Sequence, residues 1–201
     1  MGIGPVVVAT RNPHKLREFA EALPELELVE LPEVVELPPE ESETFAGNAI
    51  GKARAAHLAG GGPVIADDSG IEAAALGGRP GVRSARYAGE GAGDEQNLAK
   101  LLGALAGATD QRLAYVCALV YIDADGEEEL FEGHCEGTLA PVPRGDGGFG
   151  YDPAFIPDDT GPADKRTMAE LSPAEKHAIS HRGRAARALA AHLESTSRRR
   201  R

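Results

Sequence analysis

The first apolar run of the chain, Val6-Val7-Val8-Ala9, is continuous and β-branched up to Val8, and it gives way to apolar residues at helical spacing, Leu16, Phe19, Ala20 and Leu23. That change of period predicts a strand over residues 3–9, a tight turn, and a helix over 13–23. A second strand is expected at 26–29, followed by an acidic, proline-containing loop from Pro32 to Ser42. Phe45, Ala49, Ala53 and Ala56 then share one face of a helix from Thr44 to about Leu58, stopped by Gly60-Gly61-Gly62. Pro63 to Ala66 is a short apolar run closed by Asp67-Asp68-Ser69-Gly70, which reads as a buried strand delivering polar groups at its carboxyl end. Residues 71–76 are ambiguous, since Ile71, Ala73 and Ala75 alternate while the alanines favour helix.

Farther along, Asp94 to Leu105 has helical spacing, and Leu113 to Ile122 is the strongest strand. A turn at Asp123–Glu127 and one or two antiparallel partners within 129–139 make that part hairpin-like and point to a mixed sheet. Arg144 to Tyr151 is a glycine-rich loop; Ser172-Pro173 with Glu175 opens one carboxyl-terminal helix, and 180–193 forms another. No internal repeat or linker calls for two independent domains, so the expectation is one domain over 1–195 and a disordered basic tail over 196–201.

A chain of 201 residues, 42% of them apolar, can bury one sizeable core or two small lobes. Cys117 and Cys135 lie inside apolar segments and read as buried free thiols of a reducing compartment. The opening valines are too few for a signal segment or a membrane span, which makes the cytoplasm the expected location. The formal charge is −11 even with the arginines at 198–201 included, so nonspecific nucleic-acid binding is disfavoured. An acidic protein that binds a polyanion must concentrate its cations locally and recruit a divalent metal, which makes isolated basic residues inside motifs informative.

In Thr10-Arg11-Asn12-Pro13-His14-Lys15, Asn12 suits an N-cap, Pro13 the first helical position and Lys15 the first turn. Amides and an ammonium at a helix start after a strand form an anion site, although an ordinary cap with a solvated lysine has the same sequence. Asp67 and Asp68 set two carboxylates side by side after an apolar run, where a magnesium ion or an Asx-type turn would compensate them. Glu40, Glu41 and Glu43 offer a further carboxylate, or simply favour the helix dipole. Lys52 reaches either phosphate or solvent. Phe149 and Tyr151 are embedded with Gly150 and Asp152 in a glycine-rich loop, in a chain only 4% aromatic, which suits holding a base and sugar. Lys176, Ser180, His181 and Arg182 cluster between two helices, where donors can address a purine keto oxygen or cap a helix.

In order along the chain these segments resemble the inosine/xanthosine triphosphate pyrophosphatase family. The matching stretches are T-R-N-P-H-K at 10–15, T-F-x-x-N-A at 44–49, A-D-D-S-G at 66–70 and L-G-G-R-P-G-V-R-S-A-R-Y at 76–87. G-G-F-G-Y-D-P at 147–153, L-S-P-A-E-K at 171–176 and S-H-R at 180–182 complete them. The resemblance implies an α/β fold with a mixed central sheet in two lobes, flanking helices and a nucleotide-binding cleft between them, usually as a homodimer. It implies that Thr10, Arg11, Asn12, Pro13, His14 and Lys15 bind the triphosphate, and that Asp68 is both proton acceptor and Mg²⁺ ligand with Glu40 as the second ligand. Asp67 would support Asp68, Ser69 would contact substrate, and Phe149, Gly150, Tyr151, Asp152, Lys176, His181 and Arg182 would surround base and sugar. The implied reaction releases pyrophosphate from inosine, deoxyinosine or xanthosine triphosphate. A nucleotide sensor without turnover is the rival from another class.

Overall fold

A computed structural model describes residues 4–199. It contains a six-stranded sheet with strand order β2-β1-β3-β4-β5-β6, where β1 is Val6–Val8, β2 Leu28–Glu30, β3 Val64–Ala73, β4 Arg112–Ile122, β5 Glu128–Leu139 and β6 Phe155–Pro157. β1 pairs in parallel with β2 (Val6 opposite Leu28) and with β3 (Val7 opposite Val64), whereas β5 and β6 are antiparallel (Gly137 opposite Pro157). The sheet is therefore mixed, as the strand pattern predicts. The helices are α1 Pro13–Ala22, α2 Phe45–Gly60, α3 Asp94–Leu105, α4 Pro173–Ile179 and α5 His181–Arg199.

The chain divides into two compact units. Unit 1 comprises the residues up to Asp68, Cys117–Gly133 and Arg182 onward. Its core gathers Val6, Val8, Ile65, Leu119 and Tyr121 from strands against Phe19, Ala185, Ala186 and Leu189 from α1 and α5. Unit 2 comprises Ser69–Val116 and His134–His181, with a core of Ile71, Leu101, Leu105, Leu113, Phe155 and Met168.

Local chemistry explains the element ends. Asn12 caps α1, with Pro13 at the first helical position. Thr44 caps α2 by accepting from the Gly47 amide, and Gly61, at φ 66°, closes it in the left-handed conformation that costs glycine least. Ser172 and Glu175 cap α4 reciprocally, the Ser172 amide donating to Glu175 Oε2 at 2.8 Å. α2 buries the alanines Ala49, Ala53 and Ala56.

Two expectations shift. β3 does not stop at Ala66 but continues through Asp67, Asp68, Ser69 and Gly70 to Ala73, with a 3₁₀ turn over Ala74–Leu76, so 71–76 is strand and then helix. Glycine at position 70 is required by close packing, because a Cβ there would lie 2.4 Å from Ser84 Oγ and 2.6 Å from the Gly81 carbonyl. At the other end, α5 carries on through Thr196 to Arg199, where a disordered tail is expected; the remaining two positions of that tail lie outside the described residues. Among the described residues no helix is long and apolar enough to cross a membrane.

Candidate functional site

In unit 1 the chemistry is organised by the middle of β3, where two successive residues of one strand necessarily face opposite ways. Asp67 is 1% exposed and sits among cations: Lys15 Nζ is 3.0 Å from its Oδ2, and Arg182 reaches the same oxygen through Nε at 3.3 Å and Nη2 at 3.2 Å. Burial works against ionising Asp67, but Lys15, Arg182 and Lys52 outweigh it and hold the carboxyl well below the usual aspartate range. Arg182 is itself buried and donates through Nη1 to Glu18 of α1, with its guanidinium 5.8 Å from the centre of the Phe19 ring. The neighbouring Cys117 is a free buried thiol, pushed up to about 12 by burial and by the charge of Asp67.

Asp68 meets a different set. Asn48 Nδ2 donates to its Oδ2 at 2.8 Å, and Lys52 Nζ stands 4.0 Å from its Oδ1. Lys52 lies one turn after Asn48 on the same face of α2 and bonds Glu40 Oε1 at 2.7 Å. Burial raises the Asp68 carboxyl above its ordinary value; Lys52 and Asn48 pull it down, and the Glu40 charge pushes it up again. Lys52 is raised as well, because Asp67, Glu40 and Asp68 together outweigh its burial. The adjacent aspartates thus differ: the cations around Asp67 hold it ionised at neutral pH, and Asp68 has the higher proton affinity.

The α1 segment is only partly what an open anion site requires. The Asn12 side chain accepts from the amides of His14 at 2.9 Å and Lys15 at 3.4 Å, and Thr10 Oγ1 accepts from the Asn12 amide at 3.1 Å. Pro13 and His14 are exposed. The Arg11 guanidinium donates to the carbonyls of Leu31, Pro32, Glu33 and Val35 and so fastens that loop. Its fork of donors fits several carbonyls at once, which no local pattern announces.

Unit 2 holds the base-directed candidates around Asp152, which is 3% exposed. Its Oδ1 accepts from the Tyr115 hydroxyl at 3.0 Å, and its Oδ2 accepts from the Phe149 amide at 2.9 Å and from Lys176 Nζ at 2.7 Å. Lys176 Nζ also lies 5.1 Å from the centre of the Phe149 ring. Gly148, at φ 70°, makes the close approach possible, since a Cβ there would fall 2.0 Å from Asp152 Oδ2. The Gly150 amide donates to Asp94 at 2.8 Å, and the buried Tyr151 gives its hydroxyl to the Ser84 carbonyl at 2.7 Å. The His181 ring stacks on Tyr115 with centroids 4.7 Å apart and planes 7° from parallel.

The structure therefore joins Lys15, Lys52, Glu40, Asp67, Asp68 and Arg182 in one cluster and Phe149, Asp152, Lys176, Tyr115 and His181 in another. Ser69 is half-buried in β3 directly after Asp68. Arg182, expected beside the base, is tied to Asp67 and Glu18, as a fully buried acid and a fully buried cation require of each other. Sequence reasoning passed over Glu18, Asn48 and Tyr115 as site residues. Asn48 was within reach, four positions before Lys52; Glu18 and Tyr115 carry no local signal.

The sequence pattern of the Ham1 family matches residues 6–192. The dITP/XTP pyrophosphatase of Mycolicibacterium paratuberculosis is 47% identical over 205 residues, covering 98% of each chain. That of Geobacillus kaustophilus is 48% identical over 187 residues, 90% of this chain and 89% of the relative. Among solved structures, the Ham1 protein of Staphylococcus aureus superposes with a TM-score of 0.84 at 40% identity, over 96% of this chain and 99% of that one. A Ham1 protein from Coxiella burnetii gives a TM-score of 0.84 at 40% identity, over 96% and 100%.

Proposed function

The chain belongs to the Ham1 family, and from that premise we propose that it hydrolyses the triphosphates of deaminated purines, ITP, dITP and XTP, to nucleoside monophosphate and pyrophosphate. The proposal extends to a Mg²⁺ requirement, to a homodimer and to the cytoplasm as its place of work. One observation carries the chemistry: Glu40 and Asp68, carboxylates from distant parts of the chain, both point at a single cationic position held by Lys52.

That donor set fits a hard divalent cation. Two carboxylate oxygens, one of them desolvated, suit Mg²⁺, which takes a few such ligands and completes its shell with water and substrate phosphate. Glu40 and Asp68 would hold it, and its positive charge would stabilise the negative charge that builds up on the phosphoryl oxygens. Asp68 accepts the proton of the attacking water; its raised proton affinity brings it nearer the range in which a general base works best. Asn48 holds the Oδ2 side of Asp68 and so orients the carboxylate. Lys15, presented by the first turn of α1, supplies positive charge to the polyphosphate, and Asp67 keeps its ammonium in position.

At the base, Lys176 and the imidazole of His181 provide donors for a 6-keto oxygen, and the Phe149 ring provides a face for stacking. Adenine offers an amino donor at that position, so it would leave these groups unpaired on entry, a penalty that separates substrates more sharply than apolar shape.

Phosphorus NMR of the protein with Mg²⁺ and ITP tests the reading. Monophosphate plus pyrophosphate is the expected outcome. Diphosphate plus orthophosphate would replace it with a γ-phosphatase, and intact ITP with a sensor. Light scattering coupled to size-exclusion chromatography checks the dimer.

A further inference from the structure

We propose that Lys52 is a built-in placeholder for the divalent cation, occupying the charge position between Glu40 and Asp68 until the metal displaces it. The inference rests on the reading that these two carboxylates hold the metal, and it adds a competitor encoded in the chain itself.

Lys52 is only 6% exposed, and its ammonium stands 2.7 Å from Glu40 Oε1 and 4.0 Å from Asp68 Oδ1. Asp68 and the loop that carries Glu40 are held in place independently of it. Asn48 grips the other oxygen of Asp68 at 2.8 Å, and its own Oδ1 accepts the Ser42 amide at 2.9 Å, which secures the segment that follows Glu40. The carboxylates are thus preorganised around a position that requires positive charge, since two acids facing one partly desolvated point repel each other without it. A lysine on a flexible four-carbon stem fills that requirement reversibly, with one charge and no demand on coordination geometry. A divalent ion brings twice the charge to the same oxygens, so the ammonium must leave when the ion arrives.

Two consequences follow. In the absence of nucleotide, metal binding is weakened by the cost of expelling Lys52. With nucleotide present, the expelled ammonium finds phosphate oxygens as new partners, so metal and polyphosphate assist each other's binding. The same side chain that shields the acids in the resting protein becomes a phosphate ligand in the loaded one.

The test is Mn²⁺ binding to the full chain without nucleotide, read from the electron paramagnetic resonance signal of the free aquo ion. Lys52→Met is expected to bind Mn²⁺ about tenfold more tightly than the wild type, and Lys52→Arg to stay near the wild type. Lys52→Gln serves as a second neutral variant, and the rise in melting temperature on adding Mg²⁺ should be larger in either neutral variant than in the wild type. Unchanged or weaker Mn²⁺ affinity in folded Lys52→Met and Lys52→Gln overturns the placeholder. If binding in the wild type is then still abolished by Glu40→Gln, only the placeholder falls. A gain that survives in both the Glu40→Gln/Lys52→Met and the Asp68→Asn/Lys52→Met double variants puts the cation elsewhere, and overturns the metal assignment together with the placeholder.

Discussion

Replacing Asp67 with alanine removes the anion around which the buried cations of unit 1 are arranged. Lys15 lies 3.0 Å from it and Arg182 3.2 Å, with the Asp67 side chain fully buried and that of Arg182 only 2% exposed. At an effective dielectric constant of about 20, each such contact is worth roughly 5 kcal/mol of gross attraction, before the desolvation of the partners is subtracted. Breaking a buried network by deleting one member costs about 3–5 kcal/mol, because Arg182 stays buried without the acid that two of its nitrogens reach. With a urea slope of about 2 kcal/mol/M, the midpoint should fall by roughly 1.5–2.5 M. Far-UV circular dichroism at pH 7 is the assay. The pH dependence adds a second constraint. The folded carboxyl lies below its unfolded value, so its stabilisation is fully present above the unfolded pKa of about 3.9 and is lost as pH falls toward the folded value. The gap between wild type and Asp67→Ala should hold from pH 7 to about pH 5 and narrow below about 3.9. A midpoint change under about 0.5 M at pH 7, or a gap that widens on acidification, would refute the reasoning.

Three further outcomes are expected. Asp68→Asn should lower turnover by about two to four orders of magnitude while nucleotide affinity in a fluorescence titration stays within about tenfold of the wild type. His181→Ala, which removes the ring stacked on Tyr115, should narrow the ratio of kcat/KM for ITP over ATP, measured by pyrophosphate release. Gly148→Ala forces a Cβ to within 2.0 Å of Asp152 Oδ2 at a left-handed φ, so the loop must move; stability should drop by about 1–3 kcal/mol and KM should rise.

Much of this architecture can be read from the chain before any coordinates. The change from β-branched run to helical spacing between Val8 and Leu16 marks β1 and α1, and the Ser172-Pro173 start with Glu175 marks α4. The extent of β3 cannot be read that way. Asp67 and Asp68 look like the end of an apolar run, since nothing nearby in sequence offsets them; their partners Lys15, Lys52 and Arg182 come from three different helices. The partners of Arg11 and Arg182 are hidden for the same reason: where a guanidinium points is decided by carbonyls and acids brought in by tertiary packing. Asn48 was visible in its motif, but its bond to Asp68 depends on α2 lying against β3. The helical continuation through Thr196 to Arg199 shows α5 overriding the weak local preference of a Ser-Thr-Ser stretch.

The placement of the two cysteines gives the molecule a pair of internal clocks. Cys117 belongs to unit 1 and Cys135 to unit 2, both buried thiols outside any disulfide, and the former is additionally silenced by a thiol pushed up to about 12. An alkylating reagent can modify Cys117 only when its surroundings open, since neither access nor thiolate exists in the closed protein. Peptide mapping after timed exposure would then date the opening of each unit separately, without any introduced probe.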